Sequence, residues 1–581
     1  MPVIRREPLH MFSVFNPDNL EGLTSEEKDK TNGFDFDWNA LAEQGESALK
    51  KQHGLLFKWS GVYGQLQKGF YMMRVRVPGG SLSSDQCLTL ARLARRYAQS
   101  QVCITTRQTL QFHWIKLQDI AAVFSELAAH DMTTRNACGD VPRNLCCCQW
   151  SGVCPVEKAD ARTACLETEN AIIGRDDLRN LPRKFKINFS GCEAACAQPY
   201  TNDAGWVGTE YNGQTGFMLF GCGGLGSRPF LGRKIFDFVP ADLVIPVTLA
   251  MAVLFRDWGN RKNRSLARSK YVMREFGLEK YQVMLLDYLA RDGVSPDDIC
   301  RIVLAHDLPL EPVPVLIDRT QPVIPQAQPG KVLLQIQTRR GELNADQLEC
   351  LASLAAEFGD AHLYFTHRQN VEIHSVSADM ANTVVERVHE TGLATQGFMH
   401  LLDTVSCVGT TFCNLAVSDT PTLYCEILDS LGSNPTYRDS IHHVLINMNG
   451  CPNSCGQHKT ADIGLRGMRL PSPAGSVEAF ELSLGGDIYH GVPRFNEPVA
   501  IMPASDCVIM ITLILDTYCA SRSSADQTFH EFYEEKGREF FVTLLTTHGC
   551  RPPKGLLSDA AAAALKDIPA LHQLNDFEKL L

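Results

Sequence analysis

The stretch CVGTTFC (Cys407 to Cys413), followed by CPNSC (Cys451 to Cys455), puts four cysteines on two short turns as C-x5-C and C-x3-C. The pattern occurs twice. CQWSGVC (Cys148 to Cys154) and CEAAC (Cys192 to Cys196) carry the same spacing, and each cysteine lies 259 positions before its counterpart. Four matched offsets identify an internal duplication whose unit is far longer than a solenoid repeat. Upstream, TTRQTLQFHWI (105–115) answers FTHRQNVEIHSV (365–376), with Arg107 and Arg368 offset by 261, a two-residue indel. Downstream, GWVG (205–208) answers DIGL (462–465), and LFGCGGLG (219–226) answers LSLGGDIY (482–489).

Each half opens with a strand pattern that ends in a turn, FYMMRVRVPGG or KVLLQIQTRRGEL. An amphipathic helix with polar residues at its start follows, SSDQCLTLARLARRYAQ or NADQLECLASLAAEFG, and then a second strand. This order predicts an α+β half-domain over an antiparallel sheet, with the cysteines in a second segment of each half. The stretch 308–331 is Pro-rich and reads as the boundary between halves. The expected organisation is therefore an extension (1–54), a first half-domain (55–125), a first cysteine domain (126–307), the linker (308–331), a second half-domain (332–395), and a second cysteine domain with a helical tail (396–581).

A chain of 581 residues suggests about three to five packed units. Its 44% hydrophobic and 21% charged content is ordinary for a soluble globular protein. No run of about 18 apolar residues stands out, so no membrane span is expected. The first residues lack a secretory pattern, so a cytoplasmic location is expected. There, 21 cysteines point to metal or cluster ligation rather than disulfides. A net charge of −11 gives no support to nucleic-acid binding. C-x5-C is wide for a zinc knuckle, and thiolates split between two turns suit a 4Fe–4S cube, although spacing alone leaves zinc open.

The neighbouring residues decide more. GVYGQLQKGFYMMRVRVPGG, TTRQTLQFH, GDVPRN, LPRKFKINFSGC, RDWGNRKNRSLARSKY and NGCPNSCGQHKTADIGLRG together resemble the sirohaem-dependent sulfite and nitrite reductases, from about residue 60 to 490. The resemblance implies two ferredoxin-like half-domains and two sirohaem/4Fe–4S mixed α/β domains around a pseudo-twofold. It also implies six-electron reduction of sulfite to sulfide, or of nitrite to ammonia. Cys407, Cys413, Cys451 and Cys455 would hold the catalytic 4Fe–4S cluster, with Cys455 bridging to the sirohaem iron and Asn453 in the turn that supplies amides to the sulfurs.

An oxyanion substrate needs fixed positive charge and proton donors. The family's anion-binding quartet falls on Arg74, Arg143, Lys184 and Lys186, the two lysines alternating onto one face of a strand. Arg76, Arg107, Gln111, His113, Arg183 and Lys270 are the implied partners of the sirohaem carboxylates. Taken singly, each cation reads as a solvated charge and His113 as a packed strand residue. Their joint order with the cysteine quartet points to function.

Family members of the single-chain assimilatory type keep the C-terminal quartet, whereas this chain also carries Cys148, Cys154, Cys192 and Cys196, and a second cluster is expected. The offsets set Gln335, Leu402, His443 and Leu445 opposite the four anion-binding cations, so that second site is expected to be non-catalytic. The pairing resembles dissimilatory sulfite reductases, where catalytic and silent sirohaem sites coexist.

Lys186 favours sulfite, because a dianion gains more from an extra cation than a monoanion does. Cys103 stands where sulfite reductases often carry Arg, and this leaves nitrite as the alternative. No G-x-G-x-x-G opens a βαβ unit, and GCGGLG (221–226) reads as close backbone approach. Electrons are therefore expected from a separate ferredoxin or flavoprotein. The competing readings are a corrin-pathway oxygenase on this scaffold, a non-catalytic tetrapyrrole or iron–sulfur protein, and a zinc-bound duplicated fold. SDAAAAALKDIPALHQLNDFEKLL (558–581) reads as an exposed helix pair.

Overall fold

The computed structural model describes residues 21–553 except 31–32, 442 and 474. The tail helices expected over 558–581 lie outside the described residues. Two compact units form: residues 1–224 with 230–395, and residues 225–229 with 396–581.

The first unit contains two five-stranded antiparallel sheets built to one plan. One runs, in spatial order, Val62–Gly64, Phe70–Val75, Leu110–Lys116, Gln101–Ile104 and Glu342–Asn344; the other runs Val323–Pro325, Lys331–Ile336, Val371–Ser377, His362–Phe365 and Ser81–Ser83. The last strand of each comes from the opposite half, so the ferredoxin-like halves exchange an edge strand. Helices Ser84–Tyr97 and Ala345–Phe358 follow the exchanged strands, and both begin with a capping box, Ser83 with Gln86 and Asn344 with Gln347. Each cap satisfies otherwise orphaned backbone donors and is worth about 1 kcal/mol. One apolar core runs through both halves, from Met73, Leu90 and Phe112 to Leu334, Leu351 and Ile373. The duplication extends to backbone irregularities: Gln108 and Gln369 both take positive φ, as do Ala195 and Ser454, and Gln198 and Gln457.

The Pro-rich stretch is no boundary between compact units. It supplies the strand Val323–Pro325, and its Ile317 and Ile324 pack with the N-terminal cysteines. Low-propensity composition reads as a linker in sequence, whereas apolar residues spaced through it anchor it to a surface.

Each unit has one mixed sheet for its cysteines. In the first unit, Cys146–Cys147, Ile187–Ser190 and Ala204–Tyr211 run parallel, and Gln214–Gly221, Arg233–Pro240 and Val303–Leu304 continue antiparallel. In the second unit, Val405–Ser406, Ile446–Asn449 and Ile463–Ser472 run parallel, then Gly475–Leu484 and Glu497–Pro503 antiparallel. Cys148, Cys192, Cys407 and Cys451 all lie just past the carboxyl ends of neighbouring parallel strands, where open α/β sheets bind ligands. The turns leave no room for side chains on the facing strand: a Cβ on Gly208 would sit 2.3 Å from Gly191 O, and one on Gly467 would sit 2.7 Å from Gly450 O.

The stretch Ala504–Ser521, with mean hydropathy 1.4, is long and apolar enough to cross a membrane by length and composition, although polar residues interrupt it. Its Met510, Ile511, Ile514, Leu515 and Tyr518 are buried in the core of the second unit, while Ile509 is exposed and 33% of the stretch is buried.

Candidate functional site

In the second unit, Cys407 follows the strand Val405–Ser406, and the single turn Gly409–Phe412 carries the chain to Cys413. Cys451 and Cys455 follow Ile446–Asn449. Cys451 is buried, Cys407 and Cys413 are half-buried, and Cys455 is exposed. Backbone amides point at the sulfurs: Gly450 N–H donates to Cys407 Sγ at 3.2 Å and Leu415 N–H to Cys413 Sγ at 3.4 Å. Asn453 hydrogen-bonds Cys451 through both backbone and side chain. His458 braces the turn, with Nδ1 3.0 Å from Asn449 Nδ2 and 3.1 Å from Ser454 Oγ.

Burial pushes the Cys407 thiol up to about 11, and the Cys455 sulfur adds to this. Cys413 and Cys451 are raised by burial first, and Cys455 again contributes. Thiols raised in this way ionise when cations bind among them. With amide donors at the sulfurs, this donor set fits a polynuclear iron–sulfur cluster better than zinc.

The first unit gathers the cations. Arg74 and Gln111 pair directly across two strands, and Gln111 Oε1, with its amide turned to face the arginine, accepts from Arg74 Nε at 3.0 Å and Nη2 at 2.5 Å. His113, two residues along, is pushed down to about 3 by burial and then by the Arg74 charge, so it is a neutral imidazole. Arg143 is fixed by Nε–H to Gly139 O at 2.8 Å and Nη1–H to Ala137 O at 3.3 Å. Lys184 and Lys186 flank the buried Phe185 on the approach to Ile187–Ser190, and Lys186 N–H donates to Asp203 Oδ2 at 2.8 Å. Burial holds the Lys184 amine well below the ordinary lysine range, and the charges of Lys186, Arg183, Arg268 and Arg143 add to it.

Two aspartates anchor this positive field. Asp140 bonds Lys30 at 2.9 Å, Arg183 at 3.1 Å and Arg264 at 3.0 Å. Burial raises its carboxyl, but those three cations outweigh burial and keep it ionised far below the usual range. Asp203 pairs with Arg268 at 2.9 Å and accepts from Ser269.

Three residues expected among the cofactor partners are otherwise engaged. Arg76 is buried, its Nη2 2.6 Å from Glu169 Oε1, because the strand Phe70–Val75 ends one residue before it and turns it inward. Arg107 donates to Asn188 Oδ1 at 3.0 Å, Asn202 Oδ1 at 2.9 Å and Asn144 O at 2.7 Å, clamping the turns around it. Lys270 is buried, with its ammonium 5.1 Å from the Phe230 ring and 5.5 Å from that of Tyr271. A Cβ on Gly223 would stand 2.3 Å from Tyr200 O, as close backbone approach at GCGGLG requires.

Sequence reasoning missed Tyr63 and Arg268. Tyr63 hydrogen-bonds Cys138 and senses Arg143 and Arg74; burial, with Cys138, pushes its phenol up to about 12. Both lie inside stretches already singled out, GVYGQLQKG and RDWGNRKNRSLARSKY, but nothing in single-sequence pattern picks them from their neighbours.

The N-terminal quartet lies wholly within the first unit. Cys148, Cys154, Cys192 and Cys196 line one recess. Cys146 and Cys147 point elsewhere, Cys146 Sγ to Arg107 O at 3.2 Å and Cys147 to Cys165, so Cys148 is the member of the triplet in register.

The family model described as the nitrite/sulfite reductase ferredoxin-like half domain matches residues 63–130 and 324–391. The model described as the nitrite and sulphite reductase 4Fe-4S domain matches 138–292 and 399–547. An assimilatory ferredoxin-dependent nitrite reductase of Haloferax mediterranei is 31% identical over 524 residues, spanning 86% of this chain and 88% of its own. A sulfite reductase [ferredoxin] of Mycolicibacterium paratuberculosis is 30% identical over 457 residues, spanning 74% and 79%. The solved structure of the Mycobacterium tuberculosis NirA protein is similar with a TM-score of 0.80 and 26% identity, covering 90% of this chain and 98% of that one. The duplicated half-domains, the cysteine turns past parallel strands and the cation-rich strands agree with these matches along most of the chain, which belongs to the nitrite and sulphite reductase family.

Proposed function

We propose that this protein reduces sulfite to sulfide, taking six electrons from a separate ferredoxin. The observation that carries the choice of substrate is the clustering of Lys184 and Lys186 with Arg143, Arg183 and Arg268, whose charges add to burial in lowering the Lys184 amine. So concentrated a positive field favours a dianion over a monoanion, since Coulomb attraction scales with the charge of the guest.

The residues fit the family's cofactors, sirohaem and a 4Fe–4S cluster. Cys407, Cys413, Cys451 and Cys455 would hold the cluster; the tetrapyrrole's carboxylates would draw on Gln111, His113 and Arg183, of which Gln111 also holds Arg74 and Arg183 also pairs with Asp140. When bound, the pair supplies low-potential electrons to the oxyanion. The chain's own residues do the rest. Arg74 and Arg143, held by Gln111 and by the Gly139 and Ala137 carbonyls, fix the anion's charge. Lys186 adds a third cation. Lys184, with its amine lowered by burial and by the cations around it, gives up a proton more readily than an ordinary lysine and regains it from solvent. Reduction of SO3²⁻ consumes six electrons and seven protons and yields HS⁻ and three waters, so a proton donor beside the anion is a requirement of the chemistry.

Nitrite reduction is the second reading, favoured by the 31% identical nitrite reductase of Haloferax mediterranei and by Cys103 beside Gln111, where the resemblance would place an arginine. The test is the product balance with dithionite-reduced ferredoxin as donor. Sulfide formed at one per six electrons from sulfite is expected. Ammonia from nitrite without sulfide from sulfite would overturn the assignment.

A further inference from the structure

The second cysteine quartet has an environment of its own. Cys148, Cys192 and Cys196 are buried and Cys154 is half-buried. The thiols pair as Cys148 with Cys196 and Cys154 with Cys192 across one recess, which Ile317 of the Pro-rich stretch also lines. Ile324 and Leu333 pack against it together with Trp150 and Val153. Relics of a lost site drift apart or fill with side chains. These four remain mutually facing at the ends of adjacent parallel strands.

The walls are unlike those of a tetrapyrrole site. Gln335, the counterpart of Arg74, donates Nε2–H to Arg319 O at 3.0 Å and Gln321 O at 2.8 Å, tying the Pro-rich stretch beside the recess. Arg319 in turn brings Nη1 to 3.5 Å from Cys196 Sγ. Glu372 and His374, the counterparts of Gln111 and His113, are fully buried and bonded to each other at 3.0 Å. Trp150 Nε1–H donates to Glu372 at 3.0 Å, and the His374 ring stacks on Tyr364 at 3.7 Å. Arg162 lies 4.9 Å from the Tyr364 ring and donates to the carbonyls of Ser151 and Gln149. Where the resemblance implies sirohaem partners in one half, the other half thus carries a closed polar chain and a segment of its own backbone. The recess itself is lined by the four cysteines with Ser151, Glu157 and Ile317.

We propose that Cys148, Cys154, Cys192 and Cys196 hold a second 4Fe–4S cluster with no tetrapyrrole attached, walled by Trp150, Glu372 and the Pro-rich stretch that carries Arg319. Arg319 supplies a positive charge at a sulfur, and donors that bond a cluster's sulfurs raise its potential. The inference stands on the first unit alone and does not depend on which oxyanion the enzyme reduces.

The test is metal and pigment content of the anaerobically purified holoenzyme, with dithionite-reduced EPR beside it. One sirohaem per chain and about eight non-sirohaem irons per sirohaem are expected, with about eight acid-labile sulfides. Replacing Cys192→Ser and Cys196→Ser together is expected to halve that ratio and remove one reduced-cluster signal while the sirohaem bands stay unchanged. About four non-sirohaem irons with one sirohaem in the wild-type protein would overturn the proposal. Two sirohaems per chain, or zinc in place of the extra iron, would overturn it as well. The wild-type ratio decides even where the double variant fails to fold.

Discussion

Lys184 shows how one side chain's surroundings set its chemistry. Its neighbours in sequence, Arg183 and Lys186, were legible as a basic run; Arg268 and Arg143, which complete the field, arrive through the fold. If, as proposed, the protonated amine binds the anion and donates, activity is lost as pH rises through its pKa, which burial first, then the neighbouring cations, lowers below the ordinary lysine value. Lys184→Arg keeps the charge at every accessible pH and does not release the proton. The alkaline limb of kcat/KM is therefore expected to move to higher pH in the variant while kcat falls. A pH profile superimposing on that of the wild-type protein would show that Lys184 does not titrate in the reaction.

At the level of elements, strand ends decided which expectations held. Arg74 and Arg76 are two apart, and continuous pleating would place both on one face. The strand stops at Val75, so Arg74 meets Gln111 while Arg76 crosses to Glu169 on the helix Ala161–Ile172. Glu169 Oε2 also accepts from Leu145 N–H at 3.2 Å, so this ion pair joins strand, helix and the segment that leads into the cysteines. Breaking a buried pair leaves an uncompensated charge and costs about 3–5 kcal/mol. Arg76→Met is expected to lower the midpoint of thermal unfolding by several degrees and to leave the sirohaem spectrum of the folded protein unchanged. An unchanged midpoint with loss of sirohaem would restore Arg76 to the cofactor partners. The cysteine spacing, in contrast, was readable because each turn hangs between two parallel strands whose separation the sheet fixes.

Across the whole molecule, the duplication was legible in four matched cysteine offsets, and the family matches fall on both copies. Exchange of the strands Ser81–Ser83 and Glu342–Asn344 was not, because three-residue edge strands carry no periodicity of their own. Nor was the role of the Pro-rich stretch, whose value lies in where Ile317, Arg319 and Ile324 land rather than in composition. Duplication followed by divergence explains the result: one set of positions kept Arg74, Arg143, Lys184 and Lys186, and the other became Gln335, Leu402, His443 and Leu445. Leu445 is now packed among Met399, Ala461, Ile488 and Tyr489, in an apolar cluster that offers an anion nothing.

If the retained cations select sulfite, as proposed, Lys186 is where that selection is most exposed to test. The most direct measurement is kcat/KM for sulfite and for nitrite, with ferredoxin as donor, in the wild-type protein and in Lys186→Asn. The account predicts a wild-type preference for sulfite that falls by about tenfold or more in the variant, the effect of roughly 1.4 kcal/mol of lost differential attraction. A wild-type preference for nitrite, or one ratio shared by both proteins, would contradict it.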